Sequence, residues 1–268
     1  MLKRFKKCLT IVATTLLLSG AMQAIEKSTL TNQYSAKALL QLGEMYILGA
    51  GVDKNPIIAR DYFNEVVAMG QQADPWSLSQ ALLQLGEMYI FGEGVDKNPI
   101  IARDYFNKVV AMGQQTDTKL LSYALYQLGE MYKFGDGVDK NPIIARDYFN
   151  EVVAMGQQAD PELLSQALYR LGEMYIFGEG VDENPIIARD YFNKVIAMGQ
   201  QADPWSLSKA LLRLGEMYIF GAGVDKNHII ARDYFNEVVA MGQQADPWSL
   251  SKALYRLGEM YIFGEGVD

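Results

Sequence analysis

The hydrophobic positions of the chain follow helical spacing and repeat with a fixed period. In the segment 74–107, Leu78, Leu82, Leu85 and Tyr89 recur at steps of three and four residues, which predicts an amphipathic helix that ends near Phe91. The same pattern returns every 43 residues. The motif Leu-Gly-Glu-Met-Tyr begins at Leu42, Leu85, Leu128, Leu171, Leu214 and Leu257. Such a period is typical of solenoids, in which neighbouring units share one elongated core.

Polar and glycine-rich positions predict where the helices begin and end. Asp74-Pro75 is a helix start, because the aspartate can accept hydrogen bonds from the first free amides and proline suits the first turn. The glycines of segment 92–97 interrupt this helix. Asn98-Pro99 then begins a second, amphipathic helix that stops at Gly113. Each unit is therefore predicted to be an antiparallel helix pair.

The predicted fold is an all-α, right-handed α/α superhelix, a solenoid of five full units and a final half unit. Gly86 lies beside the apolar stripe of the first helix, where the lack of a side chain would let a neighbouring helix approach closely. The units are placed near 34–70, 74–113, 117–156, 160–199, 203–242 and 246–268.

Residues 1–21 have the features of a secretory signal peptide, with a basic start, an apolar stretch from about Cys8 to Leu18 and a small-residue end. Cleavage after Ala24 is the alternative, and residues 22–33 form a short lead before the repeats. The apolar stretch is shorter than the roughly 20 residues that a transmembrane helix needs. A periplasmic or secreted protein without a membrane span after cleavage is expected, and without a lipid anchor, because Ala21 stands where a lipidated cysteine would be needed.

The composition argues against several classes of function. The formal charge is −8, and removing the four basic residues of the signal segment leaves −12, which disfavours nucleic acid as a partner. The chain has one histidine, His228, and one cysteine, Cys8, so neither a nucleophile with its base nor a metal site is expected. The Gly92-Glu93-Gly94 loop lacks the Lys-Ser/Thr pair of a phosphate-binding loop. We expect no enzyme, no cofactor and no metal.

The repeated motifs resemble a known family. Leu-Gly-x-x-Tyr followed by Ala-x-x-x-Phe, as in Leu85 to Tyr89 and Ala102 to Phe106, resembles the tetratricopeptide pattern. The Gly-x-Gly-Val loop between the helices and the closing Ala-Met-Gly make the chain similar to the Sel1-like repeat family from about residue 34 onward. It departs from that family by using Asn where Asp usually caps the second helix. The resemblance implies a curved α-solenoid that acts as an adaptor for other proteins, often in bacterial envelope, signalling or host-contact roles.

Differences among the repeats suggest where a partner could bind. On a helical wheel, the positions that point away from the apolar stripe are Trp76, Gln80, Leu83, Glu87 and Ile90. Several of these positions vary between repeats. Glutamine at position 127 is replaced by arginine in the last three units. We therefore expect these units to bind an acidic segment of a protein or peptide partner. The candidate residues are Trp76, Gln80, Tyr126, Tyr169, Arg170, Trp205, Lys209, Arg213, Trp248, Lys252, Tyr255 and Arg256.

Two other interpretations of this surface remain open. The tryptophans could cover seams between units while the arginines are simply solvated. Alternatively, Trp76, Trp205 and Trp248 could stack on cell-wall glycan. Because the sequence stops within a sixth unit, we also expect its last helix to expose Leu250, Leu254, Leu257 and Tyr261. Either the sequence is a fragment, which is the favoured interpretation, or this surface is buried by a partner or by weak association with a second copy.

Overall fold

The computed structural model describes residues 35–266, apart from the side chain of Gln200. The predicted signal segment 1–21 and the lead 22–33 lie outside these residues. Within them the protein has eleven α-helices and no β-strand. The helices are α1 (Ala36–Leu48), α2 (Pro56–Met69), α3 (Pro75–Phe91), α4 (Pro99–Met112), α5 (Thr118–Phe134), α6 (Pro142–Met155), α7 (Pro161–Phe177), α8 (Pro185–Ala197), α9 (Pro204–Phe220), α10 (His228–Met241) and α11 (Pro247–Phe263). The predicted all-α fold of paired helices is confirmed.

The predicted capping residues make the helix ends. Asn98 accepts a hydrogen bond from the amide of Ile101 at 3.3 Å, which starts α4. Asp160 accepts one from the amide of Glu162 at 3.0 Å, which starts α7. Gly178 ends α7 in the left-handed conformation, with φ of 67°. The polar and glycine positions of each repeat therefore determine the lengths of its two helices.

The chain forms two compact parts, residues up to Ala81 and residues from Leu82 onward, and each is described by itself. In the first part, α1 packs on α2. Phe63 is fully buried, and a Cβ on Gly43 would lie 2.3 Å from its ring. The rings of Tyr46 and Tyr62 stack with their centroids 5.9 Å apart.

In the second part, neighbouring repeats share one core. A representative cluster draws Leu168 from α7, Phe192 and Val195 from α8, and Leu214 and Met217 from α9, so that two repeats contribute to it. Equivalent clusters lie one repeat before and one repeat after. Within this part the predicted solenoid arrangement is confirmed, because each helix pair buries its apolar face against the next.

Glycine in the first helix of each repeat allows the second helix to approach. A Cβ on Gly172 would lie 2.4 Å from Cε1 of Phe192, and one on Gly86 would lie 2.5 Å from the same atom of Phe106. Both phenylalanines are fully buried. The close approach expected at Gly86 is confirmed, and the neighbour is the second helix of the same repeat.

Polar contacts also join consecutive repeats. Arg146 donates a hydrogen bond to the carbonyl of Gly180 at 3.1 Å. Gly180 has φ of +70°, and a Cβ there would lie 2.6 Å from the carbonyl carbon of Pro142. The hydroxyl of Ser165 accepts a hydrogen bond from the amide of Asp203 at 2.9 Å. The loop and the buried serine therefore hold each repeat in register with the next.

Candidate interaction surface

Glutamates and arginines alternate along one face of helices α5, α7, α9 and α11, and we call this set the charge ladder. Each arginine lies three residues before the glutamate of its own helix and 40 residues after the glutamate of the preceding repeat. A step of 43 residues leads to the equivalent position of the next repeat, so a step of 40 residues leads to a position almost one helical turn before it. An arginine there lies close to the glutamate of its own helix and to the glutamate of the preceding repeat. The ladder consists of Glu130, Arg170, Glu173, Arg213, Glu216, Arg256 and Glu259.

The arginines of the ladder bridge adjacent repeats. Nη2 of Arg170 lies 2.8 Å from Oε2 of Glu130, and its Nη1 lies 3.1 Å from Oε2 of Glu173. Arg213 makes the equivalent contacts with Glu173 at 3.4 Å and with Glu216 at 3.3 Å. These two arginine side chains are only 15% and 21% exposed. They are therefore paired within the protein and are not simply solvated.

Each ladder arginine also lies over a phenylalanine at the end of the preceding repeat's first helix. Arg170, Arg213 and Arg256 lie 5.6, 5.4 and 5.4 Å from the ring centroids of Phe134, Phe177 and Phe220, respectively. A guanidinium over an aromatic ring is a favourable contact. Each arginine thus contacts a glutamate and a phenylalanine of the preceding repeat. These two residues are four positions apart, about one turn of the same helix.

The balance of charge changes along the ladder. Burial alone would raise the pKa of the Glu173 carboxyl. Lys133, a hydrogen bond from the hydroxyl of Tyr169, and the two ladder arginines together outweigh burial and hold it below its ordinary value. Burial raises the pKa of the Glu87 carboxyl, which accepts a hydrogen bond from the hydroxyl of Tyr123 and has no arginine at either ladder position. The glutamate charges of the ladder are therefore balanced by cations, whereas the charge of Glu87, at the equivalent position one repeat before Glu130, is not.

The candidate tryptophans lie in exposed positions. Trp205 and Trp248 are exposed, and lysine ammonium groups lie over both rings. Nζ of Lys209 is 3.1 Å from the ring centroid of Trp205, and Nζ of Lys252 is 5.3 Å from that of Trp248. The guanidinium of Arg213 lies near two rings, 5.4 Å from the Phe177 centroid and 5.9 Å from the Trp248 centroid. Phe177 and Trp248 therefore lie on one surface.

The remaining candidates differ in accessibility. Trp76 and Tyr255 are exposed, while Gln80 is half-buried. Tyr126 and Tyr169 are buried, with ring centroids 5.6 and 5.8 Å from those of Phe149 and Phe192.

The helical wheel placed Leu83 away from the core. This prediction was wrong, since Leu83 is only 4% exposed. At the equivalent position of later repeats, the ring of Tyr126 packs against Phe149 of the second helix, so the apolar face is wider than the stripe. In α11, which has no second helix packed after it in the described chain, Tyr255 of the same position is exposed, as are Leu254 and Tyr261, while Leu257 is buried.

None of the helices within residues 35–266 combines the length and apolarity needed to cross a membrane. In the same residues, no three His, Cys, Asp or Glu side chains are grouped so that they could hold a metal ion. The lone histidine, His228, lies at the start of α10, where its Nδ1 is 3.1 Å from Oε2 of Glu265.

The repeated geometry agrees with a comparison against protein families. The Sel1 repeat model matches six segments, which are residues 36–68, 79–113, 122–155, 165–200, 208–240 and 251–268. The chain belongs to the Sel1 repeat family. Proteins of this family are generally scaffolds for protein–protein interactions and are typically non-catalytic.

Solved Sel1 repeat structures share the fold. One is a protective antigen present in uropathogenic Escherichia coli strains, with a TM-score of 0.70 and 25% identity over 93% of this chain. This chain spans 45% of the length of that protein. Another is a Sel1 repeat protein from Oxalobacter formigenes, with a TM-score of 0.63 and 22% identity, covering 90% of this chain and 84% of that one. No curated protein sequence matches the chain.

Proposed function

We propose that this Sel1 repeat protein is an exported, non-catalytic scaffold that binds a protein partner along the ladder face of its later repeats. The observation that carries the proposal is a row of exposed aromatic side chains on that face. Phe134, Phe177, Phe220, Trp205 and Trp248 are all exposed, one or two from each repeat. Exposed aromatic side chains grouped on one surface are typical of protein-binding sites, in which Trp, Tyr and Arg contribute most of the binding energy.

The lysines on this face are more accessible to an acidic partner than the ladder arginines, although Lys252, whose side chain is 34% exposed, also lies 3.7 Å from Oε1 of Glu216. The ladder arginines already contact glutamates of the protein, so a partner carboxylate would compete with those internal pairs. Lys209 and Lys252 lie over exposed tryptophans, where a carboxylate could approach while an apolar side chain contacts the indole. The acidic segment expected from the sequence is therefore proposed to bind Lys209, Lys252 and the two tryptophans, with the arginines shaping the surface beneath.

Export to the periplasm or the medium is the proposed location, on the strength of the signal-like segment 1–21. A structural neighbour is described as a protective antigen of uropathogenic strains, and an exported location fits such a description. Amino-terminal sequencing of the protein recovered from the periplasm and from the medium tests this part. A new terminus at residue 22 or 25 would support export, whereas an intact Met1 in the cytoplasmic fraction would refute it.

The binding proposal is tested by capture. Residues 22–268 are immobilised, incubated with an envelope and secreted extract, and the retained proteins are identified by mass spectrometry. The double variant Trp205→Ala and Trp248→Ala should lose the specific partner. The matched control removes exposed isoleucines from the second helices, as Ile143→Ala with Ile186→Ala, and should retain it. Equal capture by all three proteins would place the site elsewhere.

Charge is tested with Lys209→Gln and Lys252→Gln, which leave the pairs between ladder arginines and glutamates in place, although Lys252→Gln also removes a 3.7 Å contact with Glu216. We expect them to weaken binding of an acidic partner. Replacing Arg170, Arg213 and Arg256 by Gln should also weaken it, but this variant removes contacts between repeats, so its folding must be measured alongside.

Glycan binding is the second candidate function suggested by the tryptophans. Stacking on sugar requires an accessible ring face, and the ammonium group 3.1 Å from the Trp205 centroid covers one face of that indole. A sugar would compete with that ammonium group for the ring face, whereas a partner carboxylate could pair with it, which favours a protein partner. Sedimentation with purified cell wall separates the two functions, because a glycan-binding protein would pellet without any other protein present.

A further inference from the structure

The charge ladder has an unfilled position at Glu87. In three later repeats, a glutamate and the phenylalanine four residues after it together hold an arginine of the following repeat. Glu87 and Phe91 have the same spacing on α3. The residue 40 positions after Glu87 is Gln127, and the residue three positions before it is Gln84. The carboxylate and the ring are therefore present without an arginine from the protein itself.

The exposure of the phenylalanines reflects this difference. Phe134, Phe177 and Phe220, which lie beneath arginines, are 58%, 56% and 57% exposed. Phe91 is 73% exposed. Among residues 35–266, no cation is found over the Phe91 ring. The uncovered ring leaves the area on which an arginine rests in the later repeats.

The electrostatic environment of Glu87 also favours a cation. Glu87 is paired with the hydroxyl of Tyr123, a neutral donor that leaves the negative charge uncompensated. Burial raises the pKa of the Glu87 carboxyl, the Tyr123 hydrogen bond lowers it, and the negative charge of Glu93 raises it further. A cation placed beside Glu87 would relieve both the burial cost and the repulsion from Glu93.

We propose that Glu87 and Phe91 bind an arginine side chain of a partner protein, an inference that rests on the proposed scaffold function. The guanidinium would donate hydrogen bonds to the Glu87 carboxylate and lie over the Phe91 ring, as Arg170 and Arg213 do with the glutamate and phenylalanine of the preceding repeat. Arginine fits better than lysine, because its planar group can pair with a carboxylate and stack on a ring at once. The partner of this part of the surface is therefore a segment that presents an arginine.

The test uses residues 22–268 and two short probes, the capped peptides Gly-Arg-Gly and Gly-Lys-Gly, followed by amide chemical-shift changes in NMR spectra. The arginine peptide should change the amide chemical shifts around residues 87–94 and 123–127. The lysine peptide should bind about tenfold more weakly, because it lacks the second charge-assisted hydrogen bond that the guanidinium can donate. Glu87→Gln should abolish the shifts. Glu151→Gln, which removes the same charge from an exposed position on α6, should leave them unchanged.

A self-filling variant gives an independent measurement. Gln127→Arg places an arginine at the position that holds one in the next three repeats, so the variant is expected to fold. It should block the peptide and raise the melting temperature, and the rise should disappear when Glu87→Gln is added. Equal binding of both peptides, shifts that persist in Gln127→Arg, an absence of shifts, or an unchanged melting temperature would overturn the proposal.

These outcomes are separate from those of the capture experiment. The peptide probes report directly on Glu87 and Phe91, whatever partner the scaffold has. Failure of the arginine peptide alongside successful capture would remove this site and leave the scaffold function standing. Binding of the arginine peptide without capture of any protein would remove the proposed partner surface on the later repeats.

Discussion

Replacing Gly172 with alanine should destabilise the protein, whereas the same replacement at Gly258 should stabilise it. Both glycines occupy the second position of the Leu-Gly-Glu-Met-Tyr motif, within the interior of a helix. At Gly172, a Cβ would lie between 2.4 and 2.9 Å from three atoms of the Phe192 ring. At Gly258, a Cβ would have no atom within 4 Å. The two changes are chemically identical and differ in what the new methyl group meets.

The magnitude follows from two opposing terms. Alanine in place of glycine within a helix gains about 1 kcal/mol at either site. At Gly172 this gain is set against overpacking, because the Phe192 ring is fully buried and has no free space to move into. Overpacking of this kind costs about 1–3 kcal/mol. Gly172→Ala should therefore lose up to about 2 kcal/mol, and the two variants should differ by about 1–3 kcal/mol.

The assay is urea unfolding followed by far-ultraviolet circular dichroism, together with native-state hydrogen exchange. Exchange is needed because repeat proteins open locally, so one unfolding free energy does not describe every helix. Protection should fall in α7 and α8 of Gly172→Ala and rise in α11 of Gly258→Ala. Adding Phe192→Leu to Gly172→Ala should recover part of the loss, as a coupling energy between contacting residues. Equal effects of the two alanines would refute the close-approach explanation.

Three further changes test how repeats are joined. Gly180→Ala should cost at least about 1 kcal/mol in urea unfolding, since its backbone has positive φ and its Cβ would meet the Pro142 carbonyl. Ser165→Ala should cost about 1–2 kcal/mol and speed hydrogen exchange of the Asp203 amide, which loses its acceptor. Wild-type stability should fall as pH drops through the native pKa of Glu173, because a carboxyl whose native pKa is lowered stabilises the fold only while it is ionised. In Glu173→Gln, thermal melts across the acidic range should show less of this loss, and an unchanged profile would contradict the assignment.

Local features of the sequence were sufficient to predict most of the fold. The 43-residue period, the Asn-Pro and Asp-Pro starts and the glycine stops give the helix pairs, and the glycine of the motif gives the close helix contact. The helix starts and stops act within a few residues of the place where they appear, and the period is visible in the sequence itself. They could therefore be interpreted without knowledge of the tertiary structure.

The site was harder to predict, because its contacts join different repeats. The wheel placed Leu83 opposite the core, since it treats the apolar face as one narrow stripe, whereas a phenylalanine ring of the second helix widens that face. The arginines were predicted to bind a partner, and their pairing with glutamates such as Glu130 was missed. The spacing of 40 residues, one repeat less one helical turn, was the signal that could have revealed it.

Under the proposed scaffold function, the ladder connects stability with partner recognition. In the later repeats the arginines have their charges balanced by glutamates of neighbouring repeats, and exposed aromatic rings and lysines remain on that face. At Glu87 the same geometry lacks the arginine, and its carboxylate pairs with a neutral hydroxyl. A partly buried, uncompensated charge lowers stability unless something neutralises it. Glu87 is therefore a position where an external arginine would supply the missing ion pair.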